Sequence, residues 1–147
     1  MIVIKEEFLS NSEKETEKIA ADFSEKLSGG EIIAYTGNLG AGKTCFTRGL
    51  ARGLGFKGDV SSPTFALVNE YRGGRLDLFH FDMYRISGFE DLYSTGFFDY
   101  LSENGVVAVE WSENISGILD EKTIFIDIRQ AKSPNSRIIT IKSEDII

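Results

Sequence analysis

Lys43 and Thr44 close a run, Gly37-Asn38-Leu39-Gly40-Ala41-Gly42, whose spacing is Gly-x4-Gly-Lys-Thr. An ammonium and a hydroxyl placed side by side after a glycine-rich turn suit the capture of a polyphosphate with its divalent cation. The glycines let the backbone curl so that several N–H groups point inward, and a helix that follows adds the positive end of its dipole. Lys43 then faces the β and γ groups, while the Thr44 hydroxyl ligates Mg²⁺. The candidate phosphate-binding set is Asn38, Leu39, Gly40, Ala41, Gly42, Lys43, Thr44 and Cys45. Such a loop needs a strand before it and a helix after it. Ile32-Ile33-Ala34-Tyr35 reads as a buried strand and residues 45–54 as a helix, so the setting of a P-loop is met.

A P-loop also needs an acid at the end of a neighbouring strand. Two positions qualify, because residues 78–82 and 106–110 are mainly apolar runs that end in Asp82 and Glu110. We expect both to serve catalysis with Lys43, one close to Mg²⁺ and the other ordering metal-bound or attacking water. The bland alternative for either is a helix cap or a surface charge. Ser61-Ser62-Pro63-Thr64 lies where P-loop proteins often carry a switch, so the hydroxyls of Ser62 and Thr64 are candidates for sensing the terminal phosphate, against a plain Pro-containing turn. Trp111 either stacks on the base or packs in the core. His80 either joins the site through Asp82, two residues on and on the same side of the strand, or is a hydrogen-bonded structural histidine. Arg85 is a phosphate-facing or partner-facing cation, or a solvated charge at a strand end. No Asn-Lys-x-Asp segment for guanine is present, which favours ATP. Without an identifiable arginine finger or water-positioning Gln, hydrolysis is expected to be slow unless a partner assists.

The elements that must hold these residues follow from pattern. Residues 2–9 alternate as a first strand. Ser12-x-x-Glu15 reads as a capping box opening a helix whose stripe is Ile19, Ala20, Phe23 and Leu27, ended by Gly29-Gly30. Residues 64–71 and 76–84 flank Arg72-Gly73-Gly74-Arg75 as a hairpin. Ser87-x-x-Glu90 reads as a second capping box on a short helix ended by Gly96, with another short helix or turn over 97–101. Residues 106–109 are a buried parallel strand, 112–120 a loop with a helical turn, and 123–129 with 137–142 a closing hairpin. The fold class is α/β: a P-loop NTPase-like mixed β-sheet flanked by helices, with antiparallel hairpins, over a single domain spanning 1–147.

Composition narrows the function classes. With 41% hydrophobic and 27% charged residues the chain is globular, and its net charge of −7 disfavours a direct grip on nucleic acid. The lone Cys45 excludes an internal disulfide and gives no metal spacing, and it reads as a packing residue more readily than as a reactive thiol. No leader pattern and no membrane-length apolar run is visible, which predicts a cytoplasmic protein without membrane contact.

Taken together, the residues resemble the TsaE (YjeE) family of small bacterial P-loop ATPases. The resemblance rests on residues 37–44, on Ser62-Pro63-Thr64-Phe65-x-Leu67-Val68-x-x-Tyr71, on His80-Phe81-Asp82-Met83-Tyr84-Arg85 and on Glu110-Trp111, in that order, with Arg48-Gly49 and Gly53-Leu54-Gly55 also fitting. It covers roughly residues 10–130. Cys45 departs from the family's usual second Thr or Ser. The resemblance implies that Lys43 and Thr44 bind phosphate and Mg²⁺, that Asp82 is the Walker-B-like acid, that Glu110 assists at the metal, and that Trp111 lies near the nucleotide. It implies a role in making threonylcarbamoyladenosine in tRNA, with TsaD-like and TsaB-like proteins as partners and tRNA met only through them. A small-molecule kinase or a nucleotide-gated binding module without hydrolysis would use the same loop.

Overall fold

The computed structural model of the chain describes residues 3–37, 40–60 and 67–144. Among them, one mixed sheet is built from β1 (Val3–Ser10), β2 (Ile32–Thr36), β3 (Val68–Tyr71), β4 (Asp77–Asp82), β5 (Gly105–Glu110), β6 (Ile124–Gln130) and β7 (Arg137–Glu144). Their spatial order is β1-β7-β6-β2-β5-β4-β3. β2 lies parallel to β5 and β6, and β4 parallel to β5, while β3, β7 and β1 are antiparallel additions at the two edges. The helices are α1 (Glu13–Ser24), α2 (Gly40–Gly53), α3 (Phe89–Ser94) and α4 (Phe97–Ser102), with a 3-10 turn over Ser112–Ile118.

Strand alternation sorts the core into two layers. Ile33 and Tyr35 of β2, Leu78 of β4, and Val106 and Ala108 of β5 pack with Phe46 and Leu50 of α2 on one face. Phe79 and Phe81, Val107 and Val109 point the other way, onto Leu92 of α3 and Phe97 of α4. Successive side chains on a strand take opposite faces, so His80, Asp82 and Glu110 fall on the α2 side.

The first expected cap is present. Glu15 N donates to Ser12 Oγ at 3.1 Å, and Glu15 reaches back to the N–H of Asn11 at 2.7 Å. The second differs from the Ser87-x-x-Glu90 expectation. α3 starts after Gly88, and Ser87 instead gives both its N–H and its hydroxyl to Asp91. Gly88 has no side chain to offer the first turn, so the expected capping box does not form and Asp91 only ties down the residue before the cap. Among the described residues no helix is long and apolar enough to cross a membrane.

Candidate functional site

β2 delivers the chain to the glycine turn. Gly37 has φ +95, and a Cβ there would run into the backbone oxygen of Ile128 on β6, so both the torsion and the space demand glycine. Asn38 and Leu39 lie outside the described residues, as do the possible switch hydroxyls Ser62 and Thr64. Gly40 and Ala41 enter α2, Gly42 and Cys45 are buried in its first turns, and Lys43 and Thr44 between them are half-buried.

A buried hydroxyl pair fixes that turn to the sheet. Thr47 Oγ1 donates to Lys43 O at 2.8 Å and lies 2.7 Å from the Tyr35 hydroxyl. Thr47 has one proton and spends it on Lys43 O, so the Tyr35 hydroxyl is the donor of the second bond. Complete burial drives the Tyr35 phenol far above its ordinary value, more than the bond to Thr47 lowers it, so the ring keeps its proton. On the other flank Thr36 Oγ1 donates to Asp127 Oδ1 at 2.7 Å, and Asp127 accepts from Arg129 Nε at 2.7 Å. Sequence reasoning missed Tyr35, Thr47 and Asp127. A phenol within an otherwise apolar strand was the one signal available.

The two acids come together as expected. Asp82 and Glu110 are register partners on the parallel strands β4 and β5, and β5 borders β2. Glu110 is half-buried, and its Oε2 sits 2.7 Å from Nε2 of the fully buried His80. The two atoms are close but not aligned as a hydrogen bond requires. Glu110 Oε2 and both His80 nitrogens are therefore buried without a hydrogen-bond partner among the described residues. His80 thus approaches Glu110, not the Asp82 expected from its strand position. It is also not the satisfied structural histidine of the alternative. Its ring stands edge-on to Tyr35 at 6.0 Å between centroids.

An orphaned carboxylate oxygen at the end of the strand next to β2 fits a magnesium site. Among the described residues no group of three or more His, Cys, Asp or Glu gathers to hold a metal. Mg²⁺ needs no such cage, because it keeps waters and takes one or two carboxylates plus substrate phosphates. Asp82 is partly committed already, since its Oδ1 accepts the Tyr84 N–H at 2.9 Å.

Beyond Glu110 the strand alternation is broken by Trp111, which takes the left-handed region at φ 58 and is the one non-glycine to do so among the described residues. A bulky side chain there costs about 1–2 kcal/mol. The turn is held by Ser112 Oγ donating to Tyr35 O at 3.2 Å and Asn114 N donating to Trp111 O at 3.1 Å. It swings the indole outward, 46% exposed and edge-on to Tyr84 at 4.8 Å, which overturns the core-tryptophan alternative. Asn114 Nδ2 donates to Met83 O at 2.8 Å and Tyr84 O at 3.2 Å, clamping the turn after β4 to the turn after β5. Nothing local in the sequence announces that clamp. Arg85 stands exposed in the turn beyond Asp82. Cys45 is the packing residue expected: it is buried, its Sγ donates to Glu13 O at 3.4 Å, and burial raises its thiol pKa, with Glu17 adding to the shift.

Known proteins match this arrangement. Residues 10–139 fit the family model described as threonylcarbamoyl adenosine biosynthesis protein TsaE. A Treponema pallidum protein named tRNA threonylcarbamoyladenosine biosynthesis protein TsaE is 37% identical over 88% of this chain and 96% of its own length. An Aquifex aeolicus protein of the same name is 44% identical over 77% of this chain and 80% of its own. The crystal structure of Bacillus subtilis YdiB superposes with a TM-score of 0.79 at 32% identity, covering 97% of this chain and 88% of that one.

Proposed function

The chain belongs to the TsaE family, and from that premise we propose that it is the ATP-binding, slowly ATP-hydrolysing member of the bacterial tRNA threonylcarbamoyladenosine machinery, acting on a TsaB–TsaD pair. The observation that carries the reading is the register that sets Asp82 of β4 beside Glu110 of β5, the strand that borders β2, on the same sheet face as the helix bearing Lys43 and Thr44. The names of the relatives support the pathway. One soluble cytoplasmic domain that meets tRNA only through its protein partners completes the proposal.

In this reading the backbone N–H groups from Asn38 to Cys45 and the Lys43 ammonium hold the triphosphate of ATP. Thr44 Oγ1 and Glu110 are the groups offered to Mg²⁺, with Asp82 in its water shell. When bound, the ion supplies charge neutralisation across the β and γ oxygens. The chain's own contribution is placement. The bonds among Tyr35, Thr47 and Lys43 O keep the first turn of α2 seated on β2. His80 limits how far the Glu110 carboxylate can turn, and Asn114 keeps the two acid-bearing turns at a fixed separation. The exposed indole of Trp111 is a stacking surface for adenine at the rim.

Calorimetry with ATP and Mg²⁺, and phosphate release with and without the TsaB–TsaD pair, test the proposal. Lys43→Ala should abolish ATP binding. Asp82→Ala and Glu110→Ala should each lower partner-stimulated turnover by about a hundredfold, the scale of losing one preorganised electrostatic group. Tight ATP binding by Lys43→Ala, or full turnover by both acid variants, would sink the assignment.

A further inference from the structure

From residue 86 to residue 121 the sequence holds eight Asp and Glu and no Lys, Arg or His, so this stretch accounts for the whole negative charge of a chain whose net is −7. It folds into α3, α4, β5 and the 3-10 turn. On the outer surface of α3 and α4 it also carries an aromatic patch. Phe89 is 64% and Tyr93 68% exposed, their rings are 6.2 Å apart, and both lean on Phe98, at 5.7 and 6.3 Å. Glu90 and Asp91, which separate Phe89 from Tyr93 along the chain, and Asp99, next to Phe98, are exposed. Single exposed apolar residues need no explanation, but three touching rings within an acidic rim do. Anionic lipid and RNA phosphate are both repelled by such a surface. A protein face with an apolar pocket edged by Lys and Arg is the complement, since aromatic anchors within a charged rim are how protein interfaces are built.

We propose that the α3–α4 face is where this chain docks its protein partner, Phe89 and Tyr93 entering an apolar pocket while Glu90 and Asp99 meet basic residues at its edge. The proposal rests on the functional reading above for the partner's identity. The face also has a short mechanical route to the site. Phe98 meets Phe97 edge-on at 5.5 Å, Phe97 meets Phe81 at 5.3 Å, and Phe81 immediately precedes Asp82. A partner that presses on the patch therefore bears on the strand that presents a candidate catalytic acid.

Titration calorimetry of the full chain with a purified TsaB–TsaD pair tests this at two salt concentrations. The double variant Phe89→Ser/Tyr93→Ser should bind the pair about thirtyfold more weakly or worse, the loss expected for interface anchors. Glu90→Gln/Asp99→Asn should bind more weakly and with a flatter salt dependence. Both should keep the wild-type melting temperature and affinity for ATP, because none of these residues is in the core. Equal binding by wild type and the serine variant would overturn the docking assignment and leave the function untouched. No binding by wild type would sink the partner reading and this assignment together. A wild-type dimer in sedimentation that the serine variant disperses would give the face to a second copy of the chain and overturn the proposal.

Discussion

The two helical layers cover one sheet and are made differently. α1 and α2 are 12 and 14 residues long and pack so closely that a Cβ on Gly49 would lie 2.7 Å from that of Ala20. Their outer rows are tied by Glu17 to Arg48 at 3.8 Å and Arg52 at 3.4 Å, pairs worth little individually at a surface. α3 and α4 have six residues each and carry no basic residue; α4 meets the sheet through ring–ring contacts and α3 joins the same core through Leu92. The first layer carries the helix that follows the glycine turn, and long helices with close backbones hold that helix in one position. The second presents rings and charge outward, which short elements do without disturbing the loop. Rigidity and accessibility are thus assigned to opposite sides of the sheet.

Substitutions on each side should separate these roles. The largest effect is expected from Phe97→Ala, a fully buried ring of the α3–α4 layer, at about 3–5 kcal/mol in urea unfolding. Molecules that remain folded should keep their ATP affinity, and a large loss there would erase the division of labour. Gly49→Ala comes next. Replacing a mid-helix glycine normally gains up to about 1 kcal/mol. Here the new methyl meets Ala20 and the Glu17 backbone, so a net loss of about 1–3 kcal/mol is expected, together with weaker ATP binding as α2 shifts. Tyr35→Phe should cost about 1 kcal/mol, because Thr47 still donates to Lys43 O and one buried bond is lost.

The smallest effect concerns acid. The hydroxyl of Tyr100 on α4, and then Arg72, hold the Glu70 carboxyl below its ordinary value of 4.5. A carboxyl lowered on folding stabilises the protein above its unfolded-state value, and that stability is lost as the pH falls through the folded one. Glu70→Gln should therefore flatten the decline of melting temperature below pH 4.5 and change little at neutrality. An unchanged acid limb would remove Glu70 from the account.

Local patterns proved legible in the sequence. The strand before Gly37, the Ser12 cap, the apolar run ending in Glu110 and the closing hairpin fall where spacing places them, because each depends on neighbours a few residues away; of the first hairpin, expected from residue 64, the described part is β3 (Val68–Tyr71) paired with β4. Pairing across the chain was not legible. Nothing local says that β1 joins β7, that His80 leans on Glu110, or that Asn114 ties together two turns about thirty residues apart. The second capping box failed because α3 starts one residue later than the pattern places it, after Gly88, which has no side chain to cap with. The outward indole was hidden for a related reason. A non-glycine residue in the left-handed region is tolerated only when surrounding contacts enforce it, and those contacts come from β2 and from the turn after β4.

The placement of β2 in the sheet has a consequence for synthesis. β2 and its glycine turn leave the ribosome well before both strands that flank β2, β5 from Gly105 and β6 from Ile124. Contacts so distant along the chain form slowly and together. A nascent polypeptide stopped before Ile124 would carry every residue of the motif from Gly37 to Thr44 and still lack the neighbour whose backbone shapes the turn at Gly37. The glycine turn is in this sense shaped only after a strand made nearly ninety residues later has joined the sheet.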